Sequence, residues 1–164
     1  MTDDIKLAQK GDTAAFARLY ETVYKELYHT AYYALRNNEH DAADVVSDTV
    51  IDAYASIGKL KNINSFKSWI FSILSKKIKQ KQRRYYDYLE DIETVGLSEN
   101  FAYDSSELKN VLDLMPEKDR LILSLSVLCG YTGEEIGKIC DLKPSTVRSR
   151  LSRIKAVLRM QLQD

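Results

Sequence analysis

The sequence predicts an all-α fold made of two small helical domains joined by an acidic linker. Apolar residues recur at the three- and four-residue spacing of amphipathic helices through most of the chain. Only 6 glycines and 2 prolines occur among 164 residues, too few for the tight turns of an all-β fold. The third observation concerns charge: the net charge is zero, but acidic and basic side chains occupy separate blocks.

The N-terminal domain is predicted over residues 1–84 and contains three amphipathic segments. They run along residues 16–35, 41–54 and 66–78, and each places its apolar residues on one face. Burying these faces against one another would close a bundle of three to four helices.

Residues 85–106 are predicted to be the linker. The stretch 85–107 contains seven acidic and no basic side chains, its apolar residues keep no steady period, and glycine and serine interrupt it. This composition favours a segment that is poorly ordered on its own. It leads into a second, smaller domain at residues 107–164, which begins with two short helices around residues 108–115 and 121–128.

The stretch "YTGEEIGKICDLKPSTVRSRL" has the pattern of a helix-turn-helix. Thr132 followed by Glu135 matches a capping box, which predicts that a helix begins there. "CDLK" then forms a brief turn, and Pro144 suits the first turn of the last helix, where no N–H partner is needed.

The last helix combines an apolar stripe with a cationic face. The stripe contains Val147, Leu151, Ile154, Leu158 and Leu162. The opposite face contains Arg148, Arg150, Arg153, Lys155 and Arg159. Such a helix can enter the major groove, with arginines and hydroxyls contacting bases and phosphates. The alternative is an amphipathic terminal helix whose arginines are only solvated.

Two basic blocks indicate a polyanionic partner. Residues 57–84 contain nine basic and no acidic side chains, and residues 142–164 contain six basic and one acidic. DNA would bind such blocks because neutralising its phosphates releases counterions. For either block alone, the alternative is a charged helix face that is only solvated. The presence of two basic blocks on separate domains argues against this alternative.

Six stretches carry a family resemblance along nearly the whole chain. "MPEKDR", "TGEEIGKI" and "TVRSRLSRIKAVL" lie in the C-terminal half, after "GDTAAFARLY", "HDAADVVSDTVIDAY" and "SFKSWIFSI" in the N-terminal half. They resemble regions 4 and 2 of the sigma-70 family in its minimal extracytoplasmic-function (ECF, group 4) form. The resemblance implies a promoter-specificity subunit that binds core RNA polymerase, recognises the −35 and −10 promoter elements and promotes DNA melting.

The same resemblance implies three sets of site residues. The −35 element would be contacted by Thr146, Arg148, Ser149, Ser152 and Arg153. The −10 element would be bound by a base-capturing loop at residues 58–65 and the basic helix after it, through Lys61, Asn62, Asn64, Lys76, Lys79 and Arg83. Further phosphate contacts would come from Lys77, Lys81 and Arg84. The clamp helices of the polymerase's largest subunit would dock on Asp41, Asp44, Val45, Asp48 and Asp52.

Two alternative functions stay open. One is a stand-alone helix-turn-helix regulator, which would bind duplex DNA without polymerase. The other is a sigma-like protein that occupies polymerase without initiating transcription. Lys76 and Gln80 leave room for it, since they stand where the family often has Asn and Asp.

The sequence offers no arrangement for catalysis or ligand binding. Its two histidines and two cysteines are dispersed, and no Gly-rich phosphate loop or paired-carboxylate motif stands out. We therefore expect no enzyme activity, cofactor, metal or small-molecule substrate, and we expect an anti-sigma factor as a further partner. No apolar stretch approaches about 18 residues and no signal peptide is evident, so we expect a cytoplasmic protein without membrane insertion.

Overall fold

The computed structural model describes residues 1–91 and 115–162. Within these ranges the chain forms seven α-helices and two short 3-10 turns, and no strand. The helices are α1 Thr2–Gln9, α2 Thr13–Ala34, α3 Glu39–Ser56, α4 Phe66–Asp91, α5 Glu117–Val127, α6 Gly133–Cys140 and α7 Pro144–Leu162. The 3-10 turns, Ile57–Lys59 and Ile63–Ser65, lie between α3 and α4. The predicted all-α class is confirmed.

Side-chain caps fix where α2 and α3 begin. Asp12 accepts a hydrogen bond from the Ala15 amide at 2.9 Å, and Asn38 accepts one from the Asp41 amide at 2.9 Å. These caps satisfy amide groups that the first turn of a helix leaves unpaired. Between the two helices Asn37 adopts a left-handed conformation, with φ of 58°, which reverses the chain within a few residues.

Helices α1 to α4 form the N-terminal bundle around one apolar core. Its fully buried members include Ile5, Leu19, Leu27, Ala53, Phe66, Ile70 and Leu74. Helix α1 lies outside the three amphipathic segments predicted from the sequence. Its eight residues offer only Ile5, Leu7 and Ala8 as apolar positions, too few to define a period.

Helix α4 is the longest element, with 26 residues and a length of about 39 Å. It continues without interruption to Asp91, seven residues into the segment that the sequence predicts to be a linker. The rest of that linker and most of the short helix predicted at residues 108–115 lie outside the described residues.

Helices α5 to α7 form the C-terminal domain, which packs directly on the N-terminal bundle. Helix α5 lies against α2 and helix α6 against α4, so Leu121, Leu125 and Ile136 join the same continuous core as Phe71 and Ile78. A smaller cluster of Met115, Leu123 and Ile154 lies beside Tyr33. Within residues 1–91 and 115–162, no helix is both long enough and apolar enough to cross a membrane.

Candidate nucleic-acid interface

Helices α6 and α7 form a helix-turn-helix whose start is fixed by reciprocal hydrogen bonds. Thr132 Oγ1 accepts from the Glu135 amide at 3.3 Å, and Glu135 Oε2 accepts from the Thr132 amide at 2.7 Å. The predicted capping box is therefore confirmed. The helix ends at Cys140, and the left-handed φ of 55° at the next residue, Asp141, turns the chain toward α7.

The turn lies unusually close to α6 because residue 137 is glycine. The Leu142 amide donates to the Gly137 carbonyl at 2.8 Å, and the Leu142 carbonyl passes near the Gly137 Cα. A Cβ at position 137 would stand 2.7 Å from that carbonyl oxygen, closer than side chains are found. Gly137 thus sets the angle at which α7 leaves the turn.

Helix α7 buries its apolar stripe and exposes its predicted DNA-contacting residues. Val147 and Ile154 are 0% and 2% exposed, while Leu151 and Leu158 are half-buried. On the other side of the helix the predicted −35 set is open to solvent, with Arg148, Ser149, Ser152 and Arg153 exposed and Thr146 half-buried. The structure therefore brings all five residues to the accessible side of one helix.

Arg150 differs from the other cations of α7. It was predicted on the cationic face, but it is half-buried and turned toward α5, where its Nη1 lies 3.7 Å from Asp119 Oδ1. Its position at the edge of the apolar stripe explains this, because residues three and four apart share a helix face and Arg150 lies three after Val147. Arg150 is thus an internal contact of the C-terminal domain.

The loop between α3 and α4 holds the first part of the predicted −10 set. Lys61, Asn62 and Asn64 are exposed, and Leu60 between the two 3-10 turns is buried and anchors the loop. Asn62 Oδ1 accepts a hydrogen bond from the Asn64 amide at 3.1 Å. This bond shapes the backbone of the loop and leaves the amide nitrogen of Asn62 for other contacts.

A residue from α1 braces the same loop. Gln9 Nε2 donates to the Leu60 carbonyl at 2.8 Å and to the Ile57 carbonyl at 3.2 Å. The sequence gives no signal for these two hydrogen bonds, since Gln9 lies 48 residues before Ile57 and 51 before Leu60.

Helix α4 holds the remaining −10 residues. Lys76, Lys79 and Arg83 are all exposed along the helix. Lys79 Nζ also donates to the carbonyl of Cys140 in the C-terminal domain. The three predicted cations are therefore accessible on one helix, and Lys79 additionally contacts the C-terminal domain.

Helix α3 presents an acidic surface. Asp44, Asp48 and Asp52 are exposed and Asp41 is half-exposed, as expected for a docking face. Val45 is not part of that face: it is 3% exposed and belongs to the apolar core. Its side chain points inward in this structure, so Val45 offers no accessible surface to polymerase here, and its predicted contact stays a prediction.

Two lysines of α4 pair with this acidic surface. Lys77 Nζ lies 2.6 Å from Asp52 Oδ2, and Lys81 Nζ lies 3.2 Å from Asp41 Oδ1 and 3.5 Å from Asp44 Oδ2. The hydrogen bond with Asp41 is the main cause of a raised pKa of Lys81. Both lysines were predicted to contact phosphate, and in this structure they neutralise part of the acidic face instead.

Two family models match the chain. The model for Sigma-70 region 2 matches residues 19–86, and the model for Sigma-70, region 4 matches residues 105–158. The chain belongs to the sigma-70 family. It is similar to the ECF RNA polymerase sigma factor SigW of Bacillus subtilis, with 29% identity over 98% of this chain and 95% of the relative. It is also 30% identical to the ECF sigma factor SigE of Mycolicibacterium smegmatis, over 91% of this chain and 63% of the relative.

Solved structures share the fold of this sigma factor. CnrH in complex with the cytosolic domain of CnrY matches with a TM-score of 0.74 at 21% identity, over 99% of this chain and 96% of that one. RpoE of Bartonella quintana, in complex with the anti-sigma factor NepR, matches with a TM-score of 0.68 at 22% identity, over 89% and 97%. By its two family models and its ECF relatives, the protein is an ECF sigma factor for transcription initiation, a family whose members are not enzymes.

The two cysteines of the sigma factor lie at or near the junction of its domains. Cys140 is buried and Cys129 is half-buried, and burial is the main cause of a raised pKa at each thiol. Across residues 1–91 and 115–162, no three His, Cys, Asp or Glu side chains lie close enough to hold a metal ion.

Proposed function

We propose that this sigma factor directs core RNA polymerase to promoters by reading the −35 element with α7 and opening the −10 element with the α3–α4 loop and α4. Its acidic α3 surface would dock on the polymerase. The observation that carries the proposal is the exposed polar and cationic side of α7, supported by a buried stripe that keeps this side turned outward.

The first part of the proposal concerns the −35 element. A helix fits into the major groove of B-DNA, and a recognition helix contacts base edges with its N-terminal residues. Arg148 and Arg153 can donate hydrogen bonds to guanine O6 and N7 or to phosphate oxygens. The hydroxyls of Ser149, Ser152 and Thr146 can likewise form hydrogen bonds with base edges or with phosphate. Helix α7 begins at Pro144, so Thr146, Arg148 and Ser149 lie within its first two turns.

The second part concerns the −10 element. The exposed amides of Asn62 and Asn64 offer donors and acceptors to the edge of an unstacked base. Extruding a base costs a few kcal/mol, and the cost is lower where the strand is already separating. Lys61, Lys76 and Arg83 would hold the neighbouring phosphates.

The third part concerns polymerase. Asp44, Asp48 and Asp52 would repel phosphates, so a protein surface rich in Lys and Arg is the partner that their charge favours. Asp52 and Asp44 are exposed while their partners Lys77 and Lys81 are half-buried, and ion pairs at the protein surface typically contribute only about 0–1 kcal/mol. Exchanging them for polymerase cations would cost little.

The partners and location follow from this activity. Because RpoE of Bartonella quintana is solved with an anti-sigma factor, we propose that a protein of that kind also controls this chain. We further propose a cytoplasmic location, where promoter DNA and polymerase reside.

Promoter preference tests the assignment of α7. Arg148→Ala should lose discrimination at one position of the −35 element by about 1–3 kcal/mol, the scale of a good base contact. Arg159→Ala is the matched control, since this exposed arginine lies three turns further along the same helix and should change affinity without changing preference. The base preference is measured by transcription from randomised −35 sequences. If the wild type and Arg148→Ala prefer the same bases, the assignment of α7 as the −35-reading helix is contradicted.

Polymerase affinity tests the assignment of α3. Asp48→Lys should weaken binding to core enzyme at low salt, whereas Asp3→Lys reverses an exposed charge on α1 and should not. The two variants have the same net charge, so a nonspecific electrostatic effect would weaken both equally and would contradict the proposal.

A further inference from the structure

We propose that Gln9, the last residue of α1, is a positioning residue for recognition of the −10 element. It holds the α3–α4 loop in the orientation from which Asn62 and Asn64 capture an unstacked base. This inference rests on the proposed function, because it concerns how the same loop is aimed at DNA. It goes further by assigning a role in promoter opening to α1, a helix that contains none of the predicted site residues.

The side chain of Gln9 bridges two carbonyl groups at the base of the loop. Its Nε2 donates to the Leu60 carbonyl at 2.8 Å and to the Ile57 carbonyl at 3.2 Å. A side-chain amide nitrogen has two hydrogens, so it can make both bonds at the same time. The Leu60 carbonyl leads directly into the exposed residues Lys61 and Asn62. Gln9 therefore fixes the backbone just before the residues that contact DNA in the proposed function.

Other hydrogen bonds of the loop give it its shape. Asn62 Oδ1 accepts from the Asn64 amide at 3.1 Å. The Asn62 carbonyl accepts from the Ser65 amide at 3.0 Å and from the Ser65 hydroxyl at 2.7 Å. Because donors and acceptors of these bonds all lie within the loop, they cannot orient it relative to the rest of the domain.

Apolar contacts hold the loop against the N-terminal bundle without setting its direction. Leu60 is 7% exposed, and the half-buried Ile63 packs against the core. Hydrophobic contacts are non-directional, whereas a hydrogen bond weakens steeply as its angle departs from linear. The two bonds from Gln9 therefore supply a directional constraint that the apolar anchors lack.

Helix α1 is held firmly enough to support the loop. Ile5 and Ala8 are 1% and 2% exposed, so one face of the helix is fixed in the core. Arg18 Nη2 of α2 donates to Asp4 Oδ1 of α1 at 2.6 Å. The helix also packs against both 3-10 turns of the loop region. Gln9 thus connects the loop to a support that is itself anchored in the bundle.

Gln9→Met tests the proposal, because methionine has the length of glutamine but cannot donate to either carbonyl. The probe is the promoter that wild-type holoenzyme selects from a randomised library. We expect holoenzyme with Gln9→Met to open this promoter about tenfold less efficiently, the scale of two lost hydrogen bonds. The preference for one base at the captured −10 position should weaken, while the −35 preference and the affinity for core enzyme stay unchanged. A 2-aminopurine placed beside the captured base should show a smaller rise in fluorescence on opening.

Gln82→Met is the matched control. Gln82 Nε2 also donates to two backbone carbonyls, that of Ala34 at 3.2 Å and that of Glu117 at 3.4 Å, and neither lies in the loop. This variant should keep the wild-type base preference at the captured position. An equal loss of preference in both variants would indicate a general loss of stability and would overturn the positioning role.

Further outcomes separate this proposal from the proposed function. Wild-type opening and base preference in Gln9→Met would overturn the positioning role of Gln9. Wild-type holoenzyme that selects no −10 element would instead overturn the proposed function of the loop. Circular dichroism checks that each variant is folded. If Gln9→Met is not, Gln9→Asn takes its place with the same expected results, because its amide is one methylene too short to reach both carbonyls.

Discussion

Replacing Gly137 with alanine should destabilise the protein, although alanine is the better helix former. In a helix interior the exchange alone is favourable by about 1 kcal/mol. Here the new Cβ would meet the Leu142 carbonyl oxygen at 2.7 Å, and that peptide is tied to α6 by the 2.8 Å hydrogen bond from the Leu142 amide. Pro144 lies close behind, at 3.6 to 3.7 Å, so the turn has little room to retreat. Overpacking typically costs about 1–3 kcal/mol, and a contact under 3 Å with a backbone atom belongs to the upper part of that range, so a cost of about 2–3 kcal/mol leaves a net loss of about 1–2 kcal/mol.

Urea unfolding followed by circular dichroism would measure this loss. For a chain of this size a loss of that order lowers Tm by about 2–8 °C. Gly133→Ala is the matched control in the same helix, because its Cβ would meet only side-chain atoms at 3.5 and 3.9 Å and should change stability by less than about 0.5 kcal/mol. A Gly137→Ala protein as stable as the wild type would refute the reasoning and show that the turn adjusts freely.

Two further predictions concern the same domain, one at the start of α6 and one at its end. Thr132→Ala removes the acceptor for the Glu135 amide and should lower the free energy of unfolding by about 1 kcal/mol. Thr132→Ser keeps a hydroxyl at the same place and should retain most of the stability. Equal melting curves for the wild type and both variants would contradict the role of the cap. Because burial raises the pKa of Cys140, that thiol stays protonated at neutral pH. It should therefore react slowly with a thiol reagent in the folded protein and rapidly in urea. Rapid labelling of Cys140 in the folded protein would contradict its burial.

The fold could be predicted largely because its signals are local. The capping box at Thr132, the proline at the start of α7 and the apolar period of α2 each depend on residues within a few positions of one another. The structure forms these helices as predicted. Helix α1 was not predicted because its eight residues include too few apolar positions to reveal a helical period.

The arrangement of charges could be predicted only in part. Clusters of like charge along the sequence indicated the basic face of α7, and the family resemblance implied the acidic residues of α3. Which charge meets which depends on packing between distant segments, so nothing local revealed that Lys81 pairs with Asp41 or that Lys79 contacts the Cys140 carbonyl.

Val45 and Arg150 show a related limit. A position inferred from family resemblance, or from a run of like charges, carries no information about which way the side chain points. Val45 lies between acidic positions in sequence, yet the helix period turns it into the core. Arg150 belongs to a run of cations, yet it lies near the stripe marked by Val147 and reaches Asp119.

Transcription in vitro from a promoter library, with bacterial core RNA polymerase and this protein as the only sigma factor, tests the central claim most directly. We expect transcripts whose start sites follow a pair of recurring sequence elements at fixed spacing, one near −35 and one near −10. Loss of core binding, or binding without any transcript, would contradict that account, and the second result would favour a sigma-like protein that occupies polymerase without initiating.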